Sequence, residues 1–334
     1  MSSLSIPVNR ALDVICLGRA GVDLYAHEEN VDMEDVSGFD KHVGGSPANI
    51  AVALSKLGAK VGLISCVSDD SLGRYVCSYL KSLDVDLTGM KIDDTGSRTS
   101  LAITEMKADD CEVVIYRNNA ADLSLSIEQI DKSYIAQAKM LLVSGTALST
   151  SPSREAALSA IRYARETDTV VVLDVDYRAY SWRSPEDSSL YYQLAASLSD
   201  VVIGNREEFD VMELLYKNIN EETARDDDKT AAHYLQGATQ VVIMKAGEYG
   251  SKVYTQDGKK FEQGIFPVDV KKPFGAGDSF AGALMFFLLQ GAALEESVKM
   301  GAASAAINVS RKSCTDAMPT RQELADFIHS YETA

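Results

Sequence analysis

Positive charge is what this sequence is short of. Against 49 aspartates and glutamates stand 32 lysines and arginines, a formal net charge of −17. So acidic a chain is a poor partner for nucleic acid or anionic membrane surfaces. An anionic ligand would have to be captured by local arginines or backbone dipoles, against the overall field. Cysteine is scarce too: Cys16, Cys66, Cys77, Cys111 and Cys314 are scattered and odd in number, without a C-x-x-C pair. That argues against a disulfide framework or thiolate metal site and fits free thiols in a reducing compartment. No apolar run reaches the ~20 residues of a membrane span. The opening MSSLSIPVNR has no signal-peptide core, so the expected location is the cytoplasm. Neither an internal repeat nor a low-complexity tract is present.

What is there is 334 residues, 46% hydrophobic and 24% charged, ample for one large α/β domain with an appendage or for two small domains. Short β-branched runs alternate with helical patterns: VICLG (14–18), VGLISCV (61–67), MLLVSG (140–145), VVVLDVD (170–176), VVIGN (201–205) and VVIMKAG (241–247). Continuous apolar strands between amphipathic helices indicate a parallel sheet covered on both faces. Ser46 is the expected cap of a helix with Pro47 in its first turn and Gly58 at its end. From about residue 278 onward the pattern is nearly all helical. Residues 22–44 and 98–117 break the rhythm and read as β-hairpin material, strands of a small sheet standing off the core as a lid. Such a half-exposed sheet offers a place for a homodimer contact. The acidic stretch NEETARDDDK (220–229) reads as a solvated loop or helix start.

The chemistry concentrates in KPFGAGDSFAGAL (272–284). Gly275 and Gly277 flank a small Ala276, and the expected helix opens on Asp278 and runs apolar to Gly291. The N-terminus of a buried helix presents free N–H groups and partial positive charge, an anion site. A carboxylate beside an anion site repels the anion unless it has a chemical task. The bland alternative is an ordinary helix cap, for which aspartate and glycine are common. Three further stretches weigh against it. VGGSPANIAVALSKLG (43–58) is a second glycine turn feeding a helix and carries polar Asn49 on it; NREEF (205–209) sets Asn205 and Glu208 at a strand end; KAGEYGSKVY (245–254) is a strand-to-turn glycine pair.

Together these segments resemble the signatures of the ribokinase-like (PfkB-type) carbohydrate kinases. The likeness rests on GG-x-x-x-N near residue 45, N-x-x-E at 205–208, the KAGEYG loop and GAGDSF around Asp278, in family order over essentially the whole chain. The resemblance implies one kinase domain over residues 1–334, a three-layer α/β core with a small β lid, using ATP and Mg²⁺. It implies that Asp278 is the general base and that the amides of Gly275, Ala276 and Gly277 form an anion hole. Phosphoryl transfer needs mostly positioning and charge stabilisation, so such a pocket with Mg²⁺ suffices. By the same likeness Asp23, Gly44, Gly45 and Asn49 hold the sugar. Asn205, Glu208, Lys245, Gly247, Gly250 and Asn308 take the nucleotide side, with Glu208 reaching Mg²⁺ through water. For Asn308 a buried helix-contact amide is an equal alternative.

Two arginines bear on the substrate. Arg117 in IYRNNAADL and Arg178 in DVDYRAYSW match family members that phosphorylate keto-sugar acids, the second stretch including the single Trp182. Paired guanidinium groups suit a carboxylate. Asp316 in SCTDAMP is a candidate for a substrate hydroxyl. The variants resemble members acting on 5-dehydro-2-deoxygluconate, with those acting on 2-keto-3-deoxygluconate next; both are six-carbon deoxy keto acids phosphorylated at a terminal hydroxyl. A neutral-sugar kinase of fructokinase or ribokinase type and a non-catalytic sensor on the same fold are the other readings. A dinucleotide oxidoreductase fails, because GRAG stands where G-x-G-x-x-G would follow the first strand. One departure stands out: Lys272 lies where many relatives carry an acidic residue near a monovalent cation. The expectation is that its ammonium takes that ion's place and that activity needs Mg²⁺ but not potassium; the alternative is a lysine pointing to solvent.

Overall fold

Alternation of apolar side chains along the strands divides the interior in two. In the computed structural model, which describes residues 4–107, 111–216 and 225–333, Val14 and Cys16 face one core and Ile15 and Leu17 the other. The strands are β1 (Leu12–Leu17), β2 (Gly21–Glu29), β3 (Phe39–Gly44), β4 (Val61–Ser68), β5 (Met90–Asp93), β6 (Leu101–Met106) and β7 (Val113–Tyr116). They continue with β8 (Ala138–Ser144), β9 (Val170–Asp174), β10 (Val201–Asn205), β11 (Val241–Lys245), β12 (Ser251–Thr255) and β13 (Lys260–Gln263). Nine form one sheet in the order β13-β12-β11-β10-β9-β8-β1-β4-β5. From β11 to β5 all pairings are parallel, as the buried apolar runs require. At one edge of this mostly parallel sheet β12 and β13 pair antiparallel. A tight glycine turn after β11 leaves no room for a crossover helix and so returns the chain as a hairpin.

One core packs the helices Ser46–Leu57, Ala276–Leu289 and Leu294–Val309 on the sheet; the other packs Ser153–Glu166 and Pro185–Ala196. Helix Ala276–Leu289 buries Phe280, Leu284, Met285 and Phe286. Each such side chain contributes about 1.5–3 kcal/mol of hydrophobic stabilisation, which makes its N-terminus a rigid platform. Gly282 lets this helix press on Ser46–Leu57, since a Cβ there would lie 2.6 Å from Ala53 Cβ. The C-terminal region also holds a third helix, Arg321–Glu332.

Two helix starts differ from expectation. Gly45, at φ 100°, takes the cap position expected for Ser46, which is instead the first helical residue. The backbone there needs a positive φ, and glycine reaches it at least cost. Likewise the apolar helix Ala276–Leu289 opens at Ala276 and not at Asp278, with Gly275 as its cap, so Asp278 lies inside the first turn.

The segments 22–44 and 98–117 supply the lid, a four-stranded sheet ordered β3-β2-β6-β7. Residues 108–110 within it lie outside the described residues, as do 220–224 of the acidic stretch. The remainder of that stretch enters a helix, Asp227–Tyr234, capped by Asp226. β3 and β7 are the edges of this sheet, and Val113 and Tyr116 on β7 are exposed. Among the described residues no helix is long and apolar enough to cross a membrane.

Candidate active site

Parallel register brings the carboxyl ends of β9, β10 and β11 together, and with them Asp174, Asn205 and Lys245. Ligands bind at this edge of open α/β sheets. A cavity of about 910 Å³ opens here, lined also by Asp176, Arg178, Glu208, Gly247, Gly250, Gly275, Ala276, Gly277 and Asp278.

The turn into the Ala276–Leu289 helix is built around Gly275, in the left-handed region at φ 86°. A Cβ there would stand 2.7 Å from both Asn308 Oδ1 and Cys314 Sγ, so no other residue fits without movement. The first-turn amides that follow have no intrahelical acceptor and line the cavity. Lys245 closes on the same turn: a Cβ on Gly277 would meet its Nζ at 3.2 Å. Asp278 Oδ2 accepts a 2.7 Å hydrogen bond from Asn49 Nδ2, joining the two glycine turns. Burial, followed by the charge of Asp176, pushes the Asp278 carboxyl up to about 6, while Asn49, Ser46 and Lys245 hold it down. It is therefore an ionised base at neutral pH with useful proton affinity.

Asp174 is buried and stands 3.4 Å from Lys245 Nζ. Burial pushes its carboxyl up, with Asp176, Glu208 and Asp278 adding to the effect. For Lys245 burial acts downward, but Asp174 and the other cavity carboxylates outweigh it and hold the ammonium charged. Asp176 adopts φ 39°, accepts from Ser144 Oγ at 3.0 Å and pairs with Arg178 at 2.9 Å. The carboxylates of Asp174 and Asp176 were not among the expected site residues. The legible signal was a pair of acids closing the apolar run VVVLDVD.

N-x-x-E is a reciprocal capping box. Asn205 Oδ1 accepts from the Glu208 amide at 2.8 Å and Glu208 Oε2 from the Asn205 amide at 2.6 Å. Glu208 Oε1 accepts from the Tyr177 amide at 3.1 Å, so the carboxylate is held rigidly at the cavity wall. Gly247 and Gly250, at φ 57° and 85°, shape the turn between β11 and β12. At the lid, a Cβ on Gly44 would fall 2.0 Å from the Asp23 carboxylate, and one on Gly45 would lie 2.4 Å from Arg19 O. Tyr25 donates to Asp23 Oδ2 at 3.0 Å and stacks on Phe274, tying the lid to the turn at Gly275. Asp23 Oδ1 and Asn49 Oδ1 are buried acceptors without a hydrogen-bond partner among the described residues.

Other expected residues sit off the cavity wall. Arg117 is buried, bonded to Asp122 Oδ2 at 2.6 and 2.9 Å and to Thr146 O at 3.1 Å. Asp316 accepts from His42 at 2.7 Å and from Tyr79 at 2.5 Å. Chiefly through the His42 contact, its carboxyl is held down to about 2. Asn308 is fully buried and donates to Cys314 O at 3.0 Å. The alternative of a solvent-pointing Lys272 is corrected: the side chain is fully buried and bonds to Asn308 Oδ1 and Phe274 O.

A nine-stranded α/β core, a β lid and a helix N-terminus holding a carboxylate describe a sugar-kinase architecture. Residues 11–321 match the pfkB family of carbohydrate kinases, and the chain belongs to that family. It is 61% identical over 332 residues to the 5-dehydro-2-deoxygluconokinase of Photobacterium profundum, covering 99% of both chains. Identity to 5-dehydro-2-deoxygluconokinase 1 of Bacillus cereus is 46% over 333 residues, again 99% of both. A fructokinase with bound ATP from Xylella fastidiosa shares the fold, with a TM-score of 0.84 at 23% identity over 96% of this chain and 99% of that one.

Proposed function

We propose that this chain transfers the γ-phosphoryl group of ATP to the terminal hydroxyl of 5-dehydro-2-deoxygluconate. The observation that carries the reading is the Asp278 carboxylate, held by Asn49 in the first turn of a buried helix and facing Lys245 at the cavity. The full-length identity to two 5-dehydro-2-deoxygluconokinases supports the substrate.

ATP with Mg²⁺ supplies the phosphoryl group and spreads its charge. Among the described residues no group of three acids, histidines or cysteines could hold a metal ion directly; Asp174, Asp176 and Glu208 line the cavity and would face a hydrated one, with a glycine turn on the nucleotide side. Glu208 and Asn205 would hold the metal's water shell, with Gly247 and Gly250 letting backbone approach the nucleotide. Asp278 takes the proton of the attacking hydroxyl as its oxygen bonds to phosphorus and the bond to the ADP oxygen breaks. The amides of Gly275, Ala276 and Gly277, with the Lys245 ammonium, receive the developing negative charge. Asp23 and Asn49, each with a buried acceptor oxygen unpartnered among the described residues, suit the hydroxyls of a polyol chain. Arg178 lines the cavity half exposed, which supports a role in binding the substrate carboxylate. Arg117 supports that end from its buried pair with Asp122, and Asp316 holds the lid strand through His42.

The test is ADP release with 5-dehydro-2-deoxygluconate, 2-keto-3-deoxygluconate, fructose and ribose at equal concentrations. The first should show the highest kcat/KM. A preference for a neutral sugar would overturn the sugar-acid assignment, and one for 2-keto-3-deoxygluconate would shift it to that acid.

A further inference from the structure

Lysine is among the residues least often found fully buried, yet Lys272 has 0% of its surface exposed. Its Nζ donates to Phe274 O at 2.8 Å and to Asn308 Oδ1 at 2.7 Å, and stands 5.1 Å from the Phe274 ring centroid. Both acceptors adjoin Gly275. Phe274 O is the carbonyl immediately before it, and Asn308 Oδ1, on the neighbouring helix, is one of the two atoms that forbid a side chain there. The backbone amides of Lys271 and Lys272 donate to Val309 O, while Asn308 reaches on to Cys314 O. One ammonium thus fastens the turn, the end of the Leu294–Val309 helix and the segment at Cys314. Among the described residues no carboxylate lies within ion-pair distance of it. A buried charge without a counterion is costly, and negative charge arriving at the neighbouring amides would offset part of that cost.

We propose that Lys272 is a positioning residue, a built-in cation that fixes the Phe274–Gly275 peptide so that the helix amides receive the phosphoryl group without a monovalent cation from solution. This rests on the kinase reading above. Lys272→Met keeps the volume and removes the charge and both donors, leaving Phe274 O and Asn308 Oδ1 unpaired. The turn then loses its fastening, and a misplacement near 1 Å costs about a hundredfold in rate.

The experiment compares wild type, Lys272→Met and Lys272→Ala in sodium-only buffer with added potassium, ammonium or methylammonium chloride. ATP binding is measured by calorimetry in parallel, without sugar. Expected are a wild type indifferent to potassium, a kcat about a hundredfold lower in Lys272→Met with the sugar KM little changed, and partial rescue of Lys272→Ala by ammonium. Weaker ATP binding by the variants is expected whether or not the sugar has been identified correctly. A wild type that needs potassium would overturn the proposal, as would a Lys272→Met enzyme with unchanged kcat and ATP affinity. A purely structural lysine would lower the melting temperature in both variants and show no ammonium rescue. Failure of wild type to phosphorylate any sugar acid counts against the substrate assignment, while the calorimetry still decides the role of Lys272.

Discussion

Replacing Asp278 by asparagine separates chemistry from folding, because the same group serves one and burdens the other. The amide side chain keeps the shape and an acceptor for Asn49 Nδ2, so the 2.7 Å contact survives. It cannot take a proton, and loss of a positioned general base costs about 10²–10⁴ in rate, or roughly 3–5 kcal/mol of transition-state stabilisation. Stability moves the other way. Burial and Asp176 raise this carboxyl from 3.8 to about 6, so the native state binds its proton more tightly than the unfolded chain does. The resulting penalty is absent below pH 3.8 and complete above about 6. A shift of that size sets an upper bound of about 3 kcal/mol, and the partial exposure of Asp278 reduces it. At pH 8 the variant should therefore melt roughly 1–4 °C above wild type, with the gap closing near pH 4–5. The assays are coupled ADP release under saturating ATP and sugar acid, and calorimetric melting at several pH values. Turnover near wild type would falsify the base assignment; a variant that melts lower at pH 8 would refute the reading of its burial.

Two further outcomes follow from the same geometry. The kcat/KM of wild type should fall as pH drops through about 6, when Asp278 gains its proton, with no matching alkaline limb near neutrality because Lys245 is held charged; a flat acid limb down to pH 5 would contradict this. The two arginines should part company. Arg178→Ala, at a half-exposed site, should raise the sugar-acid KM about ten- to a hundredfold and, because Asp176 keeps its Ser144 bond, cost less stability than Arg117→Ala. Arg117→Ala strands the buried Asp122 and should cost about 3–5 kcal/mol, read by denaturant unfolding; unchanged stability would show that the pair is not the anchor it resembles.

Much of this is legible in the sequence alone. Six apolar runs announced the parallel strands because strands covered on both faces have no reason to alternate, and β1, β4, β8, β9, β10 and β11 appear where VICLG to VVIMKAG were read. The lid was legible as a break in that rhythm. The antiparallel edge of β12 and β13 was not, because a hairpin and a glycine loop carry the same local signal. Gly275 and Gly45 were visible as glycines; their cap roles followed only from the backbone angles.

By itself the sequence determined which chemistry was on offer: a carboxylate in a glycine-headed apolar helix, an N-x-x-E start and a chain too acidic for anions except at built sites. These are local properties, carried by residues close in the chain. Tertiary structure alone decided which charges meet. It set Lys245 against Asp174 and Gly277, brought the unheralded Asp174 and Asp176 to the cavity, and turned Arg117 onto Asp122. It also buried Lys272 against Asn308, 36 residues away. The physical reason is that an ionic contact depends on distance through space and on the water excluded from it, and neither is written in the order of residues.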